Sequence, residues 1–337
     1  MKKLFVENLR EGARVEEVFL LGSRTIQRTR GGAPFLKMRL VDKTGGVDAI
    51  KWDATDAEIS HAVEGEYLFV HGNVRVYNGE LQVTLDSFHG APEGVDPADF
   101  LPASQRDPDE MMAEFRGLLG LVSDQRLTAL LAAFFDDDEF AGRFKGAPAA
   151  KTVHHAFIGG LLEHTLGVVR NCAALADLYP EVNRDLLITA AALHDIGKTQ
   201  ELDWTTNIHY SDSGQLVGHL VTGAMMAREA AGKIDGFDEL VSLAIQHAIL
   251  AHHGLREYGS PVEPKSIEAL ILHYADDLDA KMAIFKAAIE ESGGEGLFTK
   301  KHHLLDRRLF RGLNASEAAA DLDTLGDRDT SDPFADE

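Results

Sequence analysis

Two hydrophobic periods divide the chain. From about residue 15 to residue 88, apolar and polar side chains alternate, the period of half-buried strands. The clearest run is EYLFVHGNVRVY (66–77), which meets Asn78-Gly79 and continues as ELQVTL. Asn-Gly between two alternating runs predicts a hairpin, because both turn residues take positive φ. Earlier strands are predicted at 15–24, 34–42 and 46–53, the last two joined by DKTGG. Five short strands in about 75 residues predict a small closed barrel or a sandwich. From residue 108 the period becomes helical, in EMMAEFRGLLGLV, RLTALLAAFF and GLLEHTLGVVRNCAALADLY. Further helices are predicted near 183–196, 217–232, 237–253 and 264–291, with a last one over 304–312. Between the two periods lies APEGVDPADFLPASQRDPDE (91–110), whose Pro and Asp content marks a linker or an extended crossing segment. The expected layout is therefore multidomain: an all-β module over 1–90, a linker over 91–110, an all-α module over 111–312, and an acidic tail over 313–337 that reads as disordered.

Composition narrows the chemistry. A single cysteine, Cys172, excludes a disulfide framework and a Cys-based zinc site. The start, MKKLFVENLREGARVEEV, has no apolar h-region, and no apolar run approaches the ~18 residues of a membrane span. The expectation is a cytoplasmic protein with no membrane partner. The net charge is −22, which at first argues against nucleic acid, but the distribution matters more. Residues 1–92 hold 12 Lys/Arg against 13 Asp/Glu, whereas 315–337 hold eight acids against Arg328. A basic face can form only in the first quarter. There Arg24, Arg28, Arg30, Lys37, Arg39 and Lys43 meet only Asp42 between 24 and 43.

The helical module places polar side chains where burial needs a partner. His164 interrupts LLEHTL, and the run LLITAAAL ends in His194-Asp195, followed by Gly197 and Lys198. His219 starts GHLVTGAMM, His252 and His253 close LVSLAIQHAILA, and Asp276 lies within EALILHYADDLDA. A lone buried histidine is commonly just hydrogen-bonded. Imidazoles and carboxylates from five separate segments are instead expected to share a metal. Gly197 is expected as the left-handed residue after the helix that ends at the His-Asp doublet. Asp277 and Asp279 compete with Asp276 as ligand. His247, off the face of His252, reads as structural.

The order H…HD…D, with HDIGK as the doublet, resembles the HD-domain metal phosphohydrolases. That resemblance implies a helical bundle with the site between its helices. It implies a first metal held by His164, His194, Asp195 and Asp276. Asp195 would bridge to a second ion on His219, His252 and His253, and Lys198 would neutralise a phosphate oxygen. A His/carboxylate set without thiolate suits manganese or iron first, with cobalt, nickel or zinc also compatible. His154, His155, His209, His273 and Asp279 are candidates for substrate contact or for supporting the ligands.

The front module looks like an OB-fold, whose strand 2–3 face binds single strands with cations and aromatic platforms. Of the rings Phe35, Trp52, Tyr67, Phe69 and Tyr77, most are expected in the core. Phe35 and Trp52, near strand ends and the basic run, are the candidates for stacking. An OB-fold followed by HHAFIGGLLEHTL, AALHDIGK, GHL, HHG and YADDLDAK resembles the YhaM family of bacterial 3′-to-5′ exoribonucleases over about 15–310. That resemblance implies metal-dependent removal of nucleoside 5′-monophosphates from the 3′ end of single-stranded RNA, with single-stranded DNA and a homo-oligomer both compatible. Two alternatives stand beside it: a phosphohydrolase of nucleotides or cyclic dinucleotides and, of a different class, a non-catalytic single-strand binder with a structural metal.

Overall fold

The computed structural model describes residues 2–29, 31–77, 79–92, 94–151, 155–204, 208–291, 296–302 and 305–312. Arg30, the hairpin residue Asn78, His154 and the tail over 313–337 lie outside the described residues.

Five strands, β1 (Arg14–Arg28), β2 (Pro34–Asp42), β3 (Gly45–Lys51), β4 (Tyr67–Tyr77) and β5 (Glu80–Gly90), close into a barrel in the order β1-β2-β3-β5-β4. A short helix α1 (Asp56–His61) connects β3 to β4. It lets β3 and β5 pair in parallel while every other pair is antiparallel. The alternation read in 66–77 is the inward row: Leu68, Val70 and Val74 face a core with Phe19, Leu36, Met38, Leu40, Val83 and Leu85. β1 breaks the alternation, because Val18, Phe19, Leu20 and Leu21 are all buried. Phe19 and Leu21 belong to the barrel core, while Val18 and Leu20 pack outside it on Phe100, Leu101, Leu202 and Ile208. A contiguous apolar run on a strand is what burial on both faces requires. The segment after the barrel is pinned to the protein: Phe100 and Leu101 are buried, and the Ser104 N–H donates to the Ile158 carbonyl.

The helical part comprises α2 (Pro108–Leu119), α3 (Gln125–Phe135), α4 (Asp138–Gly146), α5 (Gly160–Leu178), α6 (Arg184–Leu193), α7 (Lys198–Glu201), a two-stranded hairpin of β6 (Leu202–Asp203) and β7 (His209–Tyr210), α8 (Asp212–Leu216), α9 (His219–Gly232), α10 (Glu239–Ala251) and α11 (Ile267–Glu291). Part of the acid excess has a local use: Asp107, Asp124, Asp137 and Asp238 accept backbone N–H bonds at the starts of α2, α3, α4 and α10. α6 is the central helix. Its alanines Ala190, Ala191 and Ala192 are fully buried, and their small side chains let neighbouring helices approach closely. Among the described residues, no helix is long and apolar enough to cross a membrane.

The chain divides into a unit over 1–277 and a second one from Leu278 onward. The helix expected over 304–312 does not form. In the second unit Phe298 pairs with Phe310 and His302 with Arg307 as antiparallel bridges, and the Thr299 N–H donates to the Leu309 carbonyl. Leu309 is buried as the inward residue of this extended pairing, so its apolar pattern reflects one side of a hairpin.

Candidate metal centre and nucleic-acid groove

The structure brings the seven expected ligands together within the first unit. His164 sits on the first turns of α5. His194 closes α6 with Asp195 next to it. His219 opens α9, His252 and His253 follow α10, and Asp276 lies on α11. His164, His194, Asp195 and His252 are fully buried. Among these seven, three triplets have donor atoms mutually within 4.8 Å: His164/His194/Asp276, His194/Asp195/His252 and His219/His252/His253.

Asp195 is shared between two groups. Its Oδ2 lies 3.5 Å from His164 Nε2 and 3.3 Å from His194 Nε2. Its Oδ1 faces the other way, 3.5 Å from His219 Nε2 and 3.6 Å from His252 Nε2. Asp276 Oδ1 completes the first group at 3.0 Å from His164 Nε2 and 3.7 Å from His194 Nε2. His253 joins the second, its ring 5.2 Å from His219 and 4.6 Å from His252.

The imidazoles are aimed by their other nitrogen. Nδ1 of His194 donates to the Ala191 carbonyl at 2.7 Å, that of His252 to Ile249 at 2.7 Å, and that of His253 to Tyr258 at 3.1 Å. His219 Nδ1 donates to Glu201 Oε1 at 3.0 Å. With Nδ1 protonated, Nε2 is left as the free lone pair and points inward, the state a metal ligand needs. Asp195 Oδ1 and His219 Nε2 are buried without a hydrogen-bond partner. Polar atoms stranded in this way are costly unless something fills the gap. An all-imidazole and carboxylate donor set around them fits a divalent cation. Burial pushes His253 down to about 3 and lowers His252 as well, so both imidazoles are neutral at neutral pH. Although burial opposes it, the Lys198 ammonium holds Asp195 well below the usual carboxylate range. Asp276 is held low against the same penalty by His164. Lys198 Nζ lies 2.6 Å from Asp195 Oδ2, a positive charge at the edge of the cluster.

Gly197 differs from expectation. Its φ is −61°, right-handed, so it is no left-handed cap. Its role is steric: an added Cβ would come within 2.1 Å of the His219 carbonyl oxygen and 2.8 Å of the Gly223 nitrogen. The glycine lets α7 and α9 touch, which carries His219 to Asp195. His155 is half-buried with φ 53°, its ring 5.5 Å from His164. His273 Nδ1 donates to the His252 carbonyl at 2.8 Å. His209 is half-buried on β7 opposite Asp203, and Asp279 falls in the second unit. His247 accepts the Lys265 N–H at 2.9 Å. Glu201 was missed. It lies in TQEL, where no period or doublet marks it, and only the fold places it under His219.

On the barrel, Phe35, Lys37 and Arg39 of β2 and Trp52 after β3 line one groove of about 770 Å³, joined by Gln27, Tyr77 and Gln82. The Phe35 and Trp52 rings are 4.8 Å apart, and Trp52 is 45% exposed. Lys37 and Arg39 both reach Asp48, at 3.4 and 2.9 Å. Arg24 is not brought to this groove, since its guanidinium bonds the Ile59 carbonyl of α1. Arg28 bonds the Gly32 carbonyl in the β1–β2 turn at 2.9 Å. None of the five aromatic rings belongs to the barrel core. β4 points Tyr67, Phe69 and Tyr77 outward, because Leu68, Val70 and Val74 take the inward positions. Tyr67 and Phe69 pack on the apolar seam outside the barrel.

A five-stranded OB-type barrel leading into a helical His/Asp centre defines an HD-domain phosphohydrolase with an appended barrel, and residues 161–281 match the HD domain family. The chain is 35% identical over 304 residues to the 3′-5′ exoribonuclease YhaM of Geobacillus sp. (strain WCH70), covering 89% of this chain and 92% of that protein. It is 34% identical over 305 residues to the 3′-5′ exoribonuclease YhaM of Bacillus subtilis (strain 168), covering 89% and 95%. The chain belongs to the YhaM family of 3′-5′ exoribonucleases. A solved second OB-fold domain of replication protein A from Methanococcus maripaludis matches 27% of the chain and 96% of that domain, at 15% identity and a TM-score of 0.20. A likeness that slight adds nothing to the strand register.

Proposed function

We propose that the protein is a metal-dependent 3′-5′ exoribonuclease that hydrolyses single-stranded RNA to nucleoside 5′-monophosphates. The observation that carries the hydrolytic reading is the division of Asp195: one oxygen toward His164 and His194, the other toward His219 and His252. Family membership supports the substrate and the direction. In this reading His164, His194, Asp195 and Asp276 hold one divalent ion, and Asp195, His219, His252 and His253 a second. Two such ions, manganese or iron first on this donor set, supply an activated water and offset charge on the attacking and leaving oxygens. Water attacks the terminal phosphodiester phosphorus, the upstream ribose 3′-oxygen leaves, and the phosphate departs on the 5′-oxygen of the released nucleotide. Lys198 neutralises a non-bridging phosphate oxygen, exchanging its bond with Asp195 for one to substrate. The barrel holds the strand upstream, with Phe35 and Trp52 as stacking surfaces and Lys37 and Arg39 on the backbone.

The test is a time course on 3′-labelled and 5′-labelled single-stranded RNA, with Mn²⁺ and with EDTA. The expected result is immediate release of labelled mononucleotide from the 3′-labelled strand, a shortening ladder from the 5′-labelled one, and neither in EDTA. Turnover of free nucleotides alone would replace this reading with that of a small-molecule phosphohydrolase.

A further inference from the structure

Glu201 is not a ligand in the reading above, yet its carboxylate and its backbone are both held by hydrogen bonds. Its Oε1 accepts two bonds from one residue, the backbone N–H of His219 at 2.9 Å and the ring Nδ1–H at 3.0 Å. The N-cap of α9 is Gly218, which offers no side-chain cap, so the Glu201 carboxylate stands in for one. There it also meets the positive end of the helix dipole.

The backbone of Glu201 is held as firmly. Its carbonyl accepts the Ser211 N–H at 2.9 Å, and Ser211 Oγ donates to the Gln200 carbonyl at 2.7 Å. A Cβ on Gly214 would approach the Glu201 carbonyl oxygen to 2.2 Å, so that turn closes tightly over it. The next residue, Leu202, is buried with Ile208 against Val18 and Leu20 of the barrel and Phe100 and Leu101 after it. Glu201 therefore stands on a hairpin braced by the barrel, and its carboxylate reaches up to a single histidine. That histidine's Nε2 is the stranded atom 3.5 Å from Asp195 Oδ1.

We propose that Glu201 is the positioning residue of the second half-site: it fixes the tautomer and the direction of His219, so that Nε2 faces the ion beside Asp195 Oδ1. The first half-site, on His164, His194 and Asp276, does not touch Glu201 and stays independent of it. The inference rests on the two-ion reading of the centre, and its test separates the two.

The experiment is calorimetric titration of EDTA-stripped full-length protein with Mn²⁺, alongside its thermal transition. Wild type is expected to take up two ions. Glu201→Ala is expected to weaken one of them by about 10–100-fold, the usual effect of removing such a partner, and to leave the other unchanged. Glu201→Gln keeps an acceptor of the same shape for one His219 N–H but loses the charge, so a smaller loss of the same single ion is expected. It also serves if the alanine variant does not fold. Two ions bound with unchanged affinity in both variants would overturn the proposal. So would equal weakening of both ions in a variant with a wild-type thermal transition, which would give Glu201 a general structural role. Wild type taking up no Mn²⁺ would remove the metal reading itself, and the inference with it.

Discussion

At the scale of single residues, the candidate centre turns on one carboxylate. Asp195 is buried and its two oxygens serve different imidazole groups. Asp195→Ala should therefore remove both half-sites at once. RNA cleavage is expected to fall to background while affinity for the strand, measured by fluorescence anisotropy, stays within a few-fold. Cleavage at the wild-type rate would refute a metal centre on these residues. Gly197 gives a second expectation. Alanine there must displace the His219 carbonyl, since no flexible side chain is available to yield. Gly197→Ala should cost ~1–3 kcal/mol in denaturant unfolding and move His219 off its ion, which the same Mn²⁺ titration reads. The HDIGK sequence signals the doublet, but the reason for its glycine is legible only once α9 is seen lying on it.

At the scale of elements, the barrel groove and the helical centre have different legibility. Phe35, Lys37, Arg39 and Trp52 were readable from strand positions and line one groove, whereas Arg24, Arg28 and Lys43 of the same basic run are not part of its lining. Tyr77 and Gln82 were not, because they lie on β4 and β5, which the closed barrel brings round to β3. Trp52→Ala is expected to weaken single-strand binding by ~1–3 kcal/mol, the range for loss of one base-stacking ring. Lys37→Ala should weaken it less and reduce the slope of log affinity against log salt by about 1. An unaltered slope would place the phosphate path elsewhere. The inward and outward positions of β4 were fixed by alternation. Its outward rings look like core residues by composition alone, yet Phe100 packs against Tyr67 while Tyr77 stays exposed.

At the scale of the whole molecule, stability should report both the centre and the N-terminus. Ions that bind only the folded state at 100 times Kd add ~2.7 kcal/mol each, so EDTA should lower the thermal midpoint of wild type but not that of Asp195→Ala. Lys2 is buried over the Phe19 ring, 3.5 Å from Asp42, with its ammonium bonded to the Val18 carbonyl. Burial lowers it from 10.5 to about 8 despite Asp42. Below pH 8 the ammonium is charged in both folded and unfolded states, and its burial penalty is fully present. Between about 8 and 10.5 the unfolded chain keeps a proton that the folded one releases, so stability rises with pH across that window. The rise is at most ~3 kcal/mol. Urea unfolding at pH 7.5 and 9.5 should show part of this gain, roughly 2 kcal/mol, in wild type relative to Lys2→Met, and parallel behaviour of the two proteins would contradict it.

The sequence by itself determined the two periods, the barrel's strands, the helices carrying the ligands, and the residue types able to hold a metal. These are local properties: alternation, helical spacing, turn chemistry and the cost of burying an unpaired imidazole. Tertiary structure decided which oxygen of Asp195 faces which histidine, that Glu201 lies beneath His219, that Gly197 is a point of helix contact, and that Phe298 pairs with Phe310 and His302 with Arg307. Each of these depends on groups distant along the chain meeting within a few ångströms, and no local pattern encodes that distance.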